Sequence, residues 1–221
     1  MSTGSGGTVA ERTSTAVPPR AASAAWLRDA RRARLLSLAT LVWLGAESLA
    51  GVAAGLAAHS VALIGWGVSA LVEAAASLIV VWRFTGARTL SADAEEKARR
   101  AVAVSFWLLA PYLALHVAHD LDAGHRAAPS MLGIAVTAVS VVSMPALGLA
   151  KRRLGARLHS PATAGEGTQN LMCALLAAGV LAGLALNGIG WWWVDPAMAL
   201  LVAAVAVREG RRAWRGRLCC H

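Results

Sequence analysis

Six apolar stretches, each near twenty residues long, follow one another along the chain. They run from Leu35 to Ala57, Val61 to Trp82, Ala101 to Ala118, Met131 to Ala150, Asn170 to Asn187 and Trp191 to Val207. A helix needs about 20 apolar residues to cross the hydrocarbon of a bilayer. Only helices and closed barrels satisfy every backbone group there. The pattern therefore predicts an all-α, polytopic membrane protein with six transmembrane helices. Only Gly188, Ile189 and Gly190 separate the last two stretches, which forces a tight helical hairpin. Asp195-Pro196 reads as a helix start, because Asp can cap and Pro suits the first turn. The Trp191–Trp193 run then lies just outside that helix, at the headgroup level that Trp favours. Pro111 and Pro145 fall inside the third and fourth stretches and are expected to kink them.

Composition agrees. Apolar residues make up 57% of the chain and charged ones 15%, with a mean hydropathy of +0.56. Ordinary soluble domains carry about 25% charged residues. A disordered chain, a disulfide-rich module and an ordinary cytosolic enzyme are all excluded. The net charge of +9 would suggest nucleic acid on a soluble chain. Sorted by position, twenty basic residues lie before the first stretch, between the second and third, between the fourth and fifth, and after the sixth. Only Arg126 lies on the other side. Cytoplasmic loops carry the excess of Lys and Arg, so both termini are expected in the cytoplasm and the chain in the cell membrane. The basic residues need no nucleic-acid partner, since topology and anionic lipid account for them. Residues 1–34 read as a mostly disordered basic tail, helical from Trp26. Residues 35–207 read as the transmembrane domain, and residues 208–221 as a short basic tail. No apolar stretch with a small-residue cleavage site precedes residue 35, so no removed signal peptide is expected. Three Cys, two of them adjacent, give no disulfide framework.

Ionisable groups inside the stretches carry most of the functional information. An acid or base at the centre of a membrane helix costs about 2.5 to 3.5 kcal/mol on insertion scales. Glu47 sits in the middle of the first stretch and Glu73 in the middle of the second. Ser69 and Glu73 are four apart, hence on one helical face, where they can share an ion or bond each other. Gln169 and Cys173 are also four apart, and an amide oxygen and a thiolate are possible metal ligands. Ser, Cys and Gln equally serve as helix-packing residues. Two small-residue motifs, Gly51-xxx-Gly55 and Gly179-xxx-Gly183, allow close helix contact.

Two further clusters are ambiguous. His116, His119, Asp120, Asp122 and His125 follow one another at the end of the third stretch, on the non-cytoplasmic side with His59. They suit a capture or release site for zinc, or a solvated polar loop. Cys219-Cys220-His221 could collect metal on the cytoplasmic side, join two protomers, carry palmitate or do nothing specific. No P-loop, nucleotide fingerprint, serine-triad signature or HExxH run occurs, so the chain is not expected to be an enzyme.

The chain resembles the cation diffusion facilitators, a family of divalent-metal/proton antiporters, over most of residues 35–215. The resemblance rests on the six stretches, the cytoplasmic termini, and Ser60-Val61-Ala62-Leu63-Ile64-Gly65 leading into Ser69-Ala70-Leu71-Val72-Glu73. It rests also on the Asp195-Pro196-x-x-Ala-Leu opening of the last stretch. The run from Gly190 to Gly216, with WWWVDP, VREG and AWRG, looks like a compact bacterial branch lacking the large cytoplasmic domain. The resemblance implies proton-coupled export of a divalent cation, zinc above all, by a homodimer with no tightly bound cofactor. It implies one metal-ligand pair on the second helix and another on the fifth. By position these become Ser69 with Glu73 and Gln169 with Cys173, with Glu166 one turn earlier as a substitute acid. Only Glu73 keeps carboxylate chemistry among the four. That motivates a second expectation, a non-transporting membrane protein on the same scaffold that senses metal or serves an interaction partner. A third is a carrier of another substrate with Glu73 as proton relay.

Overall fold

A computed structural model describes residues 23–57, 61–124, 131–186 and 193–216. These residues are helical almost throughout and contain no strand. In order they form α1 (Ala24–Ala57), α2 (Val61–Arg83), a short 3-10 helix (Gly86–Leu90), α3 (Ala92–Asp122), α4 (Met131–Leu158), α5 (Pro161–Leu186) and α6 (Val194–Trp214). The all-helical class and the six helices match the expectation. The stretches Ala24–Ala50 and Ala92–Asp122 are long and apolar enough to cross a membrane by length and composition.

Five helices, α1, α3, α4, α5 and α6, extend beyond their apolar stretches, and the extensions of α1, α3 and α5 have local causes. α1 starts at Ala24, so the basic run from Arg28 to Arg34 that precedes Leu35 is helical. Ala, Leu and Arg are strong helix formers, and Asp29 pairs with Arg32 at 3.6 Å, three residues on. α3 starts at Ala92 rather than Ala101. Ser91 caps it, its hydroxyl accepting from the Ala94 N–H at 3.2 Å, and Asp93 and Glu95 complement the helix dipole in the first turn. α4 continues past Lys151 to Leu158. α5 opens on Pro161, the favoured first residue, with the Ser160 hydroxyl accepting from the Thr163 N–H at 3.2 Å. α6 corrects one expectation. It starts at Val194 with Trp193 at the cap, so Asp195 lies inside the first turn and does not hold the capping position. Pro196 sits in that first turn as expected. Pro111 and Pro145 lie inside α3 and α4, which run through them.

The helices assemble as two sequential hairpins, α1 with α2 and α4 with α5, joined by the α3–α6 pair. α5 is central and touches α2, α3, α4 and α6. It crosses α4 almost backbone to backbone. A Cβ at Gly148 would lie 2.7 Å from the Gly167 carbonyl oxygen, and one at Gly167 would lie 2.6 Å from that of Gly148. Such small-residue crossings are how helices associate where apolar burial gives no drive. Of the two anticipated motifs, Gly179 lies against Met198 of α6.

Ion pairs and caps tie the basic helix ends together. Arg157 near the end of α4 meets Asp29 near the start of α1 at 3.6 Å. Arg83 at the end of α2 donates to Glu95 at the start of α3 at 2.7 Å. Arg99 of α3 donates to the carbonyls of Ala213 and Trp214 at the end of α6. The basic ends of α1, α2, α3, α4 and α6 therefore lie at one end of the bundle, together with the start of α5. Val80, Phe106, Leu109 and Val202 fill the core beside that end, while the outer surface is apolar too. Leu49 is 74% exposed and Val142 76%.

Candidate functional site

The polar side chains of the bundle lie inside it, along α5. Thr163, Glu166, Asn170 and Cys173 recur at intervals of three or four, which places them on one helical face. With a rise of about 1.5 Å per residue, the stripe spans roughly 15 Å from the basic end to the middle of the bundle.

The first level closes the basic end. The Glu95 carboxylate accepts from Arg83 Nε at 2.7 Å, from Ser160 Oγ at 3.0 Å and from the Ala162 backbone N–H at 3.1 Å. Because Arg83 ends α2 while Ala162 begins α5, these two helices run antiparallel.

One turn further in, the Lys151 ammonium donates to Glu166 Oε1 and to Thr40 Oγ1, both at 2.7 Å. Ser37 Oγ donates to Glu166 Oε2 at 2.6 Å. All four side chains are fully buried. Glu166 is thus half of a closed, buried ion pair. Lys151, Ser37 and Thr40 escaped sequence reasoning. A Lys just beyond an apolar stretch reads as a topology signal, and Ser or Thr inside one reads as packing. The faint signal was the i, i+3 spacing of Ser37 and Thr40 on one face of α1.

At the third level Gln169 Oε1 accepts from Ser105 Oγ of α3 at 3.3 Å. Its Nε2, buried, has no hydrogen-bond partner among the described residues. Asn170 Nδ2 lies 3.6 Å from the Met144 sulfur.

The fourth level joins α1, α2 and α5. Glu73, buried in α2, hydrogen-bonds Cys173 of α5, the thiol donating to the carboxylate. Glu47 of α1 lies within electrostatic reach of both and is bonded to Trp43. Its Oε2 is buried without a hydrogen-bond partner among the described residues. The structure therefore brings Glu73 and Cys173 together, adds Glu47 to them, and turns the Gln169 carbonyl aside to Ser105. Ser69 is half-buried one turn along α2 from Glu73. Carboxylate and thiol together suit borderline divalent ions such as zinc. No three His, Cys, Asp or Glu side chains among the described residues are grouped closely enough to hold a metal ion by themselves.

The secondary candidates are separated from this site. His116 and His119 lie on the last turns of α3, far from the basic end, with Asp120 between them and Asp122 closing the helix. His116 Nε2 is 3.4 Å from Asp120 Oδ2 and His119 Nδ1 is 3.5 Å from Asp120 Oδ1. His59 and His125 fall outside the described residues, as do Cys219, Cys220 and His221. No family model and no curated protein matches the chain.

Proposed function

We propose that the chain is a six-span membrane carrier of the cation diffusion facilitator type, which exports a divalent cation, zinc foremost, from the cytoplasm in exchange for protons. The observation that carries this proposal is the meeting of Glu73 and Cys173, from the middles of two antiparallel helices, inside a bundle with an apolar outer surface. A bilayer accounts for that surface and for the polar interior at once. The gathering of the basic helix ends at one end fits cytoplasmic termini.

Proton coupling follows from the ligand chemistry. In a dry site a carboxylic acid and a thiol each keep their proton. A divalent cation binds the deprotonated forms and displaces both. One cation then enters as two protons leave, and the site stays neutral in either state. Glu47 and Ser69 supply further oxygens as the helices close on the cation, and Gln169 joins once Ser105 releases its carbonyl. Rocking of the helices around Glu73 and Cys173 exposes the site to each side in turn. Homodimers, implied by the family resemblance, accompany this function.

A specific observation favours a second function, that of a non-transporting metal sensor or interaction partner. Gln169 is engaged by Ser105, which leaves a sparse ligand set. Both are separated by reconstituting the protein in liposomes holding a pH dye and a zinc dye, then imposing a zinc gradient. Antiport gives zinc flux with counterflowing protons, and Glu73→Gln lowers both roughly tenfold or more. Absence of coupled flux, with Glu73→Gln indistinguishable from the parent, sinks the proposal. Zinc binding without flux, lost in Glu73→Gln or Cys173→Ser, establishes the sensor instead.

A further inference from the structure

Lys151 and Glu166 form the most deeply buried ion pair among the described residues, with side chains 0% and 1% exposed. Such a pair is a poor source of stability. Removing two ions from water costs several kcal/mol each, and a well-packed apolar replacement is often neutral or better. This pair is nonetheless fully built. Glu166 Oε1 of α5 and Thr40 Oγ1 of α1 meet one cation that α4 delivers on a flexible stem, and Ser37 Oγ holds the second carboxylate oxygen, Oε2, in place. Thr40 in turn donates to the Leu36 carbonyl at 3.0 Å, which leaves its lone pairs facing the ammonium. The place of the pair along α5 is equally specific. Glu166 lies two turns before Cys173 on the polar stripe, roughly 10 Å nearer the basic end. The unpartnered Gln169 amide nitrogen lies between the two levels. Anything moving from the basic end to Glu73 along this stripe meets Glu166 first.

We propose that Glu166, Ser37 and Thr40 form a second cation-binding station, which the tethered ammonium of Lys151 occupies at rest and which a divalent cation takes over on its way to Glu73. The direction of travel rests on the transport function proposed above, whereas the station itself does not. Its ligands are all oxygens, so it accepts hard and borderline divalent ions alike. The ammonium keeps the station filled in the absence of substrate, so no buried carboxylate is ever left without a cation.

Two measurements test the station without relying on transport. The chain contains two lysines, exposed Lys97 and buried Lys151, so competitive acylation of the unaltered protein in detergent reads one against the other by mass spectrometry. With chelator, Lys151 is expected to react far more slowly than Lys97. Millimolar zinc is expected to raise its relative rate several-fold, because the displaced amine becomes accessible. An unchanged or lowered rate overturns the proposal. In the second measurement Lys151→Ala vacates the ammonium position. Zinc should then raise its melting temperature by roughly 4 °C or more beyond the gain of the parent. That extra gain should vanish in Lys151→Ala with Glu166→Gln and survive in Lys151→Ala with Glu73→Gln. A gain that persists after Glu166→Gln, or is absent from Lys151→Ala, overturns the station. Loss of the gain with Glu73→Gln assigns the ion to the Glu73 site and equally overturns it. Failure of zinc flux in liposomes bears only on the transport proposal.

Discussion

A single carboxylate, Glu95, joins three helix ends, and its partners explain why α5 starts where it does. The α5 N-terminus presents unbonded backbone N–H groups and the positive end of the helix dipole. Glu95 reaches across from α3 to accept from Ala162 N–H, while Ser160 Oγ caps from within the chain and also donates to Glu95. Arg83 neutralises the carboxylate from the end of α2. Glu95→Gln weakens the charged bond to Arg83 and the anionic cap together and should destabilise the bundle by about 2 kcal/mol. Ser160→Ala should cost about 1 kcal/mol. Because the two residues share a bond, the double variant should lose less than the sum of the singles. Denaturant unfolding in detergent measures all three, and strict additivity would show that Glu95 and Ser160 act independently. Glu73 was legible in the sequence because a carboxylate in the middle of an apolar stretch demands a reason. Cys173 was legible as a ligand type at helical spacing from Gln169. Glu95, Lys151 and Thr40 were not, for each has an ordinary local explanation and acquires its partner only through tertiary contact more than ten residues away in sequence. The bond from Ser105 to the Gln169 carbonyl was illegible for the same reason, since no local pattern announces it.

At the scale of the helix, the α4–α5 crossing is set by two glycines whose missing side chains let the backbones meet. Gly167→Ala inserts a methyl group 2.6 Å from the Gly148 carbonyl oxygen, a distance that no rotamer change relieves. The helices must part, at a cost of about 1 to 3 kcal/mol. Gly167 adjoins Glu166, and Gly148 lies one turn before Lys151, so the same shift loosens the buried ion pair. Gly45 is the control. It lies inside α1 with nothing within 4 Å of an added Cβ, so Gly45→Ala should stabilise by about 0.5 to 1 kcal/mol through helix propensity alone. Thermal melts of both variants check the opposite signs. If Gly167→Ala melts at or above the parent, the crossing is not held by close backbone approach. The six helices themselves were legible because each overlaps one apolar stretch. Their ends at the basic side were not. Hydropathy reports what a segment can bury, whereas Ser91, Ser160, Pro161 and the Arg-rich turns decide how far the backbone stays helical.

Over the whole molecule, buried charged and amide side chains accompany an apolar core while large apolar side chains also face outward. Glu73, Glu166, Lys151, Gln169 and Asn170 are buried, while Val42, Leu49, Leu115 and Val142 face outward. In water that arrangement exposes apolar area and desolvates charge, both unfavourable. In a lipid bilayer the outward apolar surface needs no cover, and most of the interior polar groups pair with one another. For a bundle that spans the bilayer as proposed, the orientation is expected to follow from the other global asymmetry, the gathering of basic helix ends at one end. Moving that end across the bilayer would carry many Arg and Lys through hydrocarbon, each at about 2.5 to 3.5 kcal/mol. The end holding Ala87 should therefore stay in the cytoplasm, and the end holding Ala123 should face outward. Ala87 lies in the exposed 3-10 helix between α2 and α3, and Ala123 is exposed just past α3. Single cysteines at the two positions, in a Cys173→Ser, Cys219→Ser, Cys220→Ser background, can be probed with a membrane-impermeant maleimide. In intact cells Ala123→Cys should label and Ala87→Cys should not, and in inverted vesicles the pattern should reverse. Extraction of the protein by carbonate wash, or labelling of both cysteines from the same side, would remove the six-span arrangement and with it the antiport proposal. The opposite pattern of protection would keep the spans but turn the bundle over, so that Glu166 would become the last station before release.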